Sequence, residues 1–361
     1  MNQSSLPPDK LAKVLEVALF ALKQDDLRAK IVEALSDHGL AVFKKLTKSP
    51  FPVGADPERE ANALTGVYLD VETSGLDVAT NGVTQLALLR FRYDEQGIVS
   101  IDDEAWAQFR DPGMPIEAEV TAITGITDDM VKGKAIATAD IIDALDGVTM
   151  VVAHNSKFDR PFAEKDFPDA GFDRLPWFCT VEDVDWAARG FSGKGLEILS
   201  LKEGWVYDAH NAHADVMAGS TLLASTRGGT RPVVVELLET GSTNRLRIIA
   251  VDSSFDAKDR LKERGYRWDA EGKDTGHKKA WWVEIIDTPE NVVAEKEFLR
   301  TIFGRKSEAV LPCYRISPLN RFSPRTRAQR ESFPIQAPIE LVAPATPKPV
   351  IDASAAEPAL F

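Results

Sequence analysis

The chain has 361 residues, 44% of them hydrophobic and 27% charged, enough for two domains that each bury a core. No apolar run approaches the roughly 20 residues that cross a bilayer, and the N-terminus lacks the pattern of a secretory leader, so a cytoplasmic protein without membrane contact is expected. A net charge of −13 argues against nonspecific coating of nucleic acid, though local basic segments can still grip a backbone, and Cys179 and Cys313 lack the spacing of a zinc site or disulfide framework.

In chain order, Leu11, Val14, Leu15, Ala18, Leu19 and Leu22 recur at helical spacing, and Leu27–Leu35 forms a second helical segment that Gly39 would stop. Between Ser49 and Glu60 stand Pro50, Pro52, Gly54 and Pro57, the composition of a linker. Residues 1–60 thus read as a helical segment and linker that pack on the next domain or on a partner.

From Gly66 the pattern becomes that of strands. Gly66–Leu76 is an apolar run rich in β-branched and aromatic residues that ends in a Thr-Ser-Gly turn and carries Asp70 and Glu72. Side chains two apart on a strand share a face, with roots roughly 7 Å apart, which suits a pair of divalent ions about 3.5–4 Å from each other. A plain strand-end acid pair that caps a turn would look the same in isolation. Val83–Tyr93 and then Ile98 to Phe109 read as further strands, with antiparallel pairing at the start of the sheet. Helical stretches at Ile116–Ile123 and Ile136–Leu145 precede an apolar strand, Val148–Ala153.

That strand delivers His154-Asn-Ser-Lys-Phe-Asp159 to its carboxyl end, where Asp159 can face the same cleft as Asp70 and Glu72, or can serve only as a first-turn acid favoured by the helix dipole. After a helical start at Leu196–Leu201 comes Tyr207-Asp-Ala-His-Asn-Ala-His-Ala-Asp215, leading into the apolar helix Val216–Ala224. A histidine on the loop, His210, and an acid on the helix, Asp215, can converge there on one point.

The ordered set Asp70-x-Glu72-Thr73, His154-Asn155-x-x-Phe158-Asp159 and His210-x-Ala212-x-x-Asp215 resembles the three motifs of the DEDDh (DnaQ-like) exonucleases, the family of the proofreading subunit of bacterial DNA polymerase III. Thr124-Gly-Ile-Thr127 is similar to that family too, and the resemblance spans roughly residues 64–227. It implies an α/β, RNase H-like fold with a mixed sheet flanked by helices, and 3′–5′ exonuclease activity dependent on two divalent cations, Mg²⁺ or Mn²⁺. The metal ligands would be Asp70, Glu72, Asp159 and Asp215, and His210 would take a proton from the attacking water, with His213 as the competing candidate. Thr73, Leu76, His154, Asn155 and Phe158 would contact substrate. Asn211 departs from the arginine that many members carry. The expected partner is nucleic acid with a free 3′ end, single-stranded DNA first. An exoribonuclease is the alternative within the enzymes, and a non-catalytic binding module the alternative outside them.

The expected organisation is therefore an exonuclease domain at 61–228, a small α+β module at 229–300, and a tail at 301–361, basic at first and then Pro/Ala-rich and disordered. Within the module, Leu246–Val251, a helix at Phe255–Arg264, Tyr266–Trp268 and Ala280–Ile285 read as β-α-β-β. Its basic residues, among them Arg247, Arg267, Lys278 and Lys279, alternate with Tyr266, Trp268, Trp281 and Trp282, which could stack on bases or form the core of a small domain. The final Leu360-Phe361 pair loosely resembles peptides that dock on the bacterial sliding clamp.

Overall fold

The computed structural model describes residues 24–37, 42–304 and 308–336, together with Lys13. The first predicted helix falls almost entirely outside these residues, as do Gly39 and the clamp-like Leu360-Phe361 ending. The chain divides into two compact units between Gly241 and Ser242. Among the described residues no helix is long and apolar enough to cross a membrane, and both cysteines are buried free thiols.

The first unit runs α1 (Asp25–Asp37), β1 (Lys44–Lys45), α2 (Pro57–Glu60), β2 (Leu64–Thr73), β3 (Val83–Asp94), β4 (Gly97–Ile101), β5 (Trp106–Phe109), α3 (Ala118–Thr124), α4 (Asp128–Val131), α5 (Thr138–Ala144), β6 (Val148–Ala153), α6 (Ser156–Asp166), β7 (Trp177–Cys179), α7 (Leu196–Lys202), β8 (Trp205–Val206), α8 (Ala212–Leu223) and α9 (Val233–Gly241). Its main sheet has the order β4-β3-β2-β6-β7, with β5 also on β3. As expected, the first strands pair antiparallel, and β6 then adds to β2 in parallel. A strand central in a sheet and covered on its faces reads as a continuous apolar run, and Val67, Tyr68 and Leu69 are all buried.

Part of the expected helical segment and linker belongs to this unit instead, and residues 44–45 form a strand where a helix was expected. Lys44–Lys45 pairs in parallel with Trp205–Val206, Leu46 is buried in the core and Phe51 packs against it. The prolines shape an ordered path here, and the boundary at residue 61 moves forward. At the other end, α9 also joins this unit, burying Val233, Val234 and Leu237 in the same core, so the first unit outlasts the predicted limit at 228.

The second unit comprises β9 (Arg245–Ala250), α10 (Lys258–Glu263), β10 (Arg267–Asp269), β11 (Ala280–Ile286), α11 (Pro289–Phe303), β12 (Val310–Ile316) and β13 (Arg330–Pro334). The predicted β-α-β-β start is present, but the sheet continues as β10-β11-β9-β12-β13, so residues 310–334 are folded where a basic tail was expected. The basic run hid these strands because several of its charges are paired within the fold. Arg315 pairs with Asp287 and Glu331, and Arg300 with Glu297. Trp281 and Trp282 are buried in the two cores of this unit and Trp268 is half exposed, so the core reading of the tryptophans holds for two of them.

Candidate active site

The site is assembled at the carboxyl ends of β2 and β6, two parallel neighbours. Alternation along β2 puts Tyr68, Asp70 and Glu72 on one face, against α8. How near α8 can come is decided by Gly219, since a Cβ placed there would lie 2.2 Å from the Tyr68 ring. Asp215 stands one turn before Gly219 on the same helix, so the close approach that Gly219 permits carries Asp215 to Asp70 and Glu72. An oxygen from each of these three acids lies within 4.8 Å of the others.

Asp159 arrives from the other strand. It lies in the first turn of α6, directly after β6, and is buried. One oxygen, Oδ1, accepts from the Val71 amide at 3.3 Å, which ties it to the strand between Asp70 and Glu72. The dipole position foreseen for Asp159 and its place in the cleft are both realised.

The electrostatics are those of negative charge without a counter-ion. Burial, then the neighbouring Asp159, Asp215 and Glu72, hold the Asp70 carboxyl well above the carboxylate range. Burial and the field of Asp215 push Glu72 up to about 8. Asp159 is likewise raised, chiefly by burial. Burial raises Asp215 to about 6, with the Tyr207 hydrogen bond and the positive field of His210 pulling the other way. Oδ2 of Asp159 and Oδ2 of Asp215 are buried without a hydrogen-bond partner. Buried oxygens of this kind are costly unless something electropositive meets them. A cluster of four hard oxygen donors with two orphaned atoms fits divalent cations of the Mg²⁺ type.

These shifts predict the stability of the protein in chelator. For an acid whose folded pKa is raised, the contribution to stability is fully present below the unfolded value and is lost as pH rises through the folded one. Melting measured in chelator is therefore expected to show Glu72→Gln gaining on the parent protein as pH rises from about 4.5 to about 8. A difference in melting temperature that stays flat with pH would mean that Glu72 does not carry this burden.

His210 occupies the turn into α8, exposed and in the left-handed region with φ of +60°. Its charge acts on Asp215. His213 is also exposed, on the first turn of the helix, and its amide is taken by the Asn211 side chain at 3.1 Å. Asn211 thus serves as the N-cap of α8. Sequence reasoning missed two residues that hold this turn. Tyr207 donates its hydroxyl to Asp215 Oδ1 at 3.1 Å, and burial and the adjacent carboxylate keep its phenol protonated. Gln85 Oε1 on β3 accepts from the Ala212 amide at 3.3 Å. Neither belongs to a motif, and only the nearness of Tyr207 to the third motif could have signalled it.

The expected substrate contacts divide. Leu76 is 78% exposed beyond the end of β2 and is free to meet a ligand. Asn155 is exposed at the start of α6, in the left-handed region, and Phe158 is half-buried against Phe162. Thr73 is buried, its hydroxyl donated to the Gly75 carbonyl at 2.8 Å. His154 is an internal tie: Nδ1 lies 2.7 Å from Thr180 Oγ1 and Nε2 lies 2.7 Å from the Lys194 carbonyl. Burial lowers its pKa to about 4, so the ring is neutral. Thr180 in turn meets the Tyr68 hydroxyl at 3.2 Å, which braces the ring beneath Gly219.

Four convergent carboxylates, with a histidine at the entrance, thus stand at the strand ends of a mixed sheet flanked by helices, the RNase H-like exonuclease fold. In agreement, the exonuclease family model RNase_T matches residues 67–223, the part of the chain that resembles the DEDDh, DnaQ-like exonucleases. The DNA polymerase III PolC-type protein of Listeria welshimeri is 36% identical over 156 residues, covering 41% of this chain and 10% of its own. That of Streptococcus suis is 31% identical over 164 residues, 44% of this chain and 11% of its own. The chain thus spans about a tenth of the length of the curated relatives it matches. Among solved structures, Exonuclease X in complex with 5′ overhanging duplex DNA gives a TM-score of 0.33 at 23% identity, covering 48% of this chain and 91% of that one. E. coli Exonuclease I in complex with a dA16 oligonucleotide gives 0.42 at 15%, covering 62% and 63%.

Proposed function

We propose that this protein is a 3′–5′ exonuclease that hydrolyses phosphodiester bonds from the free 3′ end of DNA and releases 5′-mononucleotides. The observation that carries this is the cluster of Asp70, Glu72 and Asp215 with Asp159 tied to the same strand, two of whose oxygens are buried without partners. The family match of residues 67–223 supports the reaction class, and the similarity to PolC-type DNA polymerases supports DNA.

Two divalent cations, Mg²⁺ or Mn²⁺, held by Asp70, Glu72, Asp159 and Asp215 would supply charge neutralisation, a water of lowered pKa and stabilisation of the leaving 3′-oxygen. The remaining chemistry belongs to the chain. His210, beside the acids and open to solvent, takes the proton of the attacking water, a task for which an imidazole is suited near neutral pH. Tyr207 holds one oxygen of Asp215 and leaves the other, Oδ2, without a partner and so available to a cation. The Val71 amide does the same for Asp159 through Oδ1. Leu76 and Asn155, both exposed, would meet the terminal nucleotide. A cytoplasmic setting in replication or repair suits this activity.

The test is a 5′-labelled single strand, its duplex and its RNA counterpart, each with Mg²⁺ and with chelator. A ladder shortened from the 3′ end of the DNA strand, with 5′-mononucleotides released and no products in chelator, is the expected result. Internal cuts or shortening from the 5′ end would overturn the assignment, and faster digestion of RNA would move the substrate to RNA.

A further inference from the structure

Alternation and cross-strand pairing set Arg247, Ile249, Trp282, Arg267, Tyr314 and Arg330 on one face of the second unit's sheet. At one end of that face lies a pocket of about 360 Å³ whose lining includes His277, Lys278, Lys279, Arg330 and Asp252. Three permanent cations face one acid there. Among the described residues none of Lys278, Lys279 or Arg330 forms an ion pair, whereas Arg247 and Arg245 on the same sheet are matched by Glu284. Burial and then the charge of Arg330 hold His277 below its ordinary pKa.

The segment that carries these charges is built, not loose. Asp269 accepts from the amides of Gly272, Lys273, Asp274 and Thr275 at 2.8–3.1 Å, closing the turn around one carboxylate. Tyr314 donates to the Thr275 carbonyl at 3.1 Å and Arg247 to that of Asp274 at 2.6 Å, which fastens the turn to the sheet. Two pocket residues, Asp252 and Lys279, hold left-handed backbone with φ of +58° and +55°. Non-glycine residues keep such angles only where the surroundings impose them, and they concentrate where ligands are held. The aromatic side chains of this face, Trp282 and Tyr314, are buried and cannot stack on a base. The pocket therefore offers charge and fixed geometry without base recognition.

We propose that this pocket binds backbone phosphates of a single nucleic-acid strand, gripping it without regard to sequence. The proposal rests on the nuclease reading above for the choice of a strand over other phosphate carriers. A second grip covalently joined to the first unit raises the effective concentration of a long strand and does nothing for a substrate of two nucleotides.

The experiment compares the full chain with a Lys278→Ala, Lys279→Ala, Arg330→Ala triple variant and with a charge-conserving Lys278→Arg, Lys279→Arg, Arg330→Lys variant. Binding of a fluorescent 20-nucleotide dT strand is followed by anisotropy in chelator across a salt series. Inorganic phosphate and a 5′-mononucleotide are titrated in parallel, and digestion of the long strand and of a dinucleotide is timed with Mg²⁺. The triple variant is expected to bind the strand at least about tenfold more weakly, with a salt slope smaller by about two, while its dinucleotide rate stays at the parent value. The charge-conserving variant should restore binding. Strand affinity and slope within twofold of the parent would overturn the proposal, and so would a pocket-dependent affinity for phosphate or mononucleotide with strand binding unchanged. A parent that digests strands normally while the triple variant binds like it would sink the pocket alone. A parent that binds strands through the pocket but digests none would sink the nuclease assignment alone.

Discussion

Alanine at Asp70, Asp159 or Asp215 is expected to lower turnover at least about a thousandfold while the protein still folds. The loss should be large because the acids of the proposed ligand set are held together: an oxygen of Asp70, Glu72 and Asp215 lies within 4.8 Å of the others, and Asp159 is tied to the same strand through the Val71 amide. On the proposed mechanism, removing one ligand would leave the rest in a geometry that no longer holds cations where phosphoryl charge develops. Folding should survive, since each acid is raised by burial or by its neighbours and none of the four forms an ion pair among the described residues. In chelator the Asp70→Asn protein should melt no lower than the parent. Steady-state turnover on a 5′-labelled strand, with melting curves in chelator beside it, checks both halves. A variant with turnover within tenfold of the parent would remove that acid from the ligand set.

His210→Ala is expected to cost about a hundredfold or more in turnover, against a few-fold at most for His213→Ala. The two imidazoles are three residues apart and both exposed, so exposure does not separate them. Position does. The His210 charge acts on Asp215, and the residue sits on strained backbone at the entry to α8, whereas His213 stands on the helix itself. If the proton is taken by His210, its removal should also flatten the fall of rate on the acidic side of the pH profile. The reverse ranking of the two variants would exchange their roles.

The candidate site was legible in the sequence for a chemical reason. Metal ligation and proton transfer need particular residue types at fixed spacing, and Asp70-x-Glu72, Asp159 and His210 with Asp215 are such residues on short segments whose local structure is strongly patterned. The strand Val148–Ala153 was legible in full because an apolar run between turns admits few alternatives. What stayed hidden depends on partners distant in the chain. The 44–51 segment reads as the end of a helical stretch and the start of a linker until Leu46 meets the core and Lys44–Lys45 finds Trp205–Val206. The strands at 310–316 and 330–334 look like a basic tail until Glu331 and Asp287 are seen to neutralise Arg315. His154 carries the family pattern in sequence, yet its two ring nitrogens are spent on Thr180 and Lys194.

The contact between Gly219 and Tyr68 means that an inventory of catalytic residues is not sufficient to pronounce a chain of this kind active. A single methyl group at 219 would have to enter the space of a ring that Thr180 already braces, and overpacking of this sort costs about 1–3 kcal/mol. The strain is relieved most readily by lifting α8 from the sheet, and Asp215 would travel with it. Gly219→Ala is thus expected to yield a folded protein with every acid and both histidines in place and turnover down by a factor of ten or more, restored in part by Tyr68→Phe or a smaller residue at 68. Normal turnover in the alanine variant would show that the ring, and not the helix, gives way. Two chains with identical motifs can differ by one buried hydrogen-for-methyl exchange and stand on opposite sides of the line between an enzyme and its inert relative.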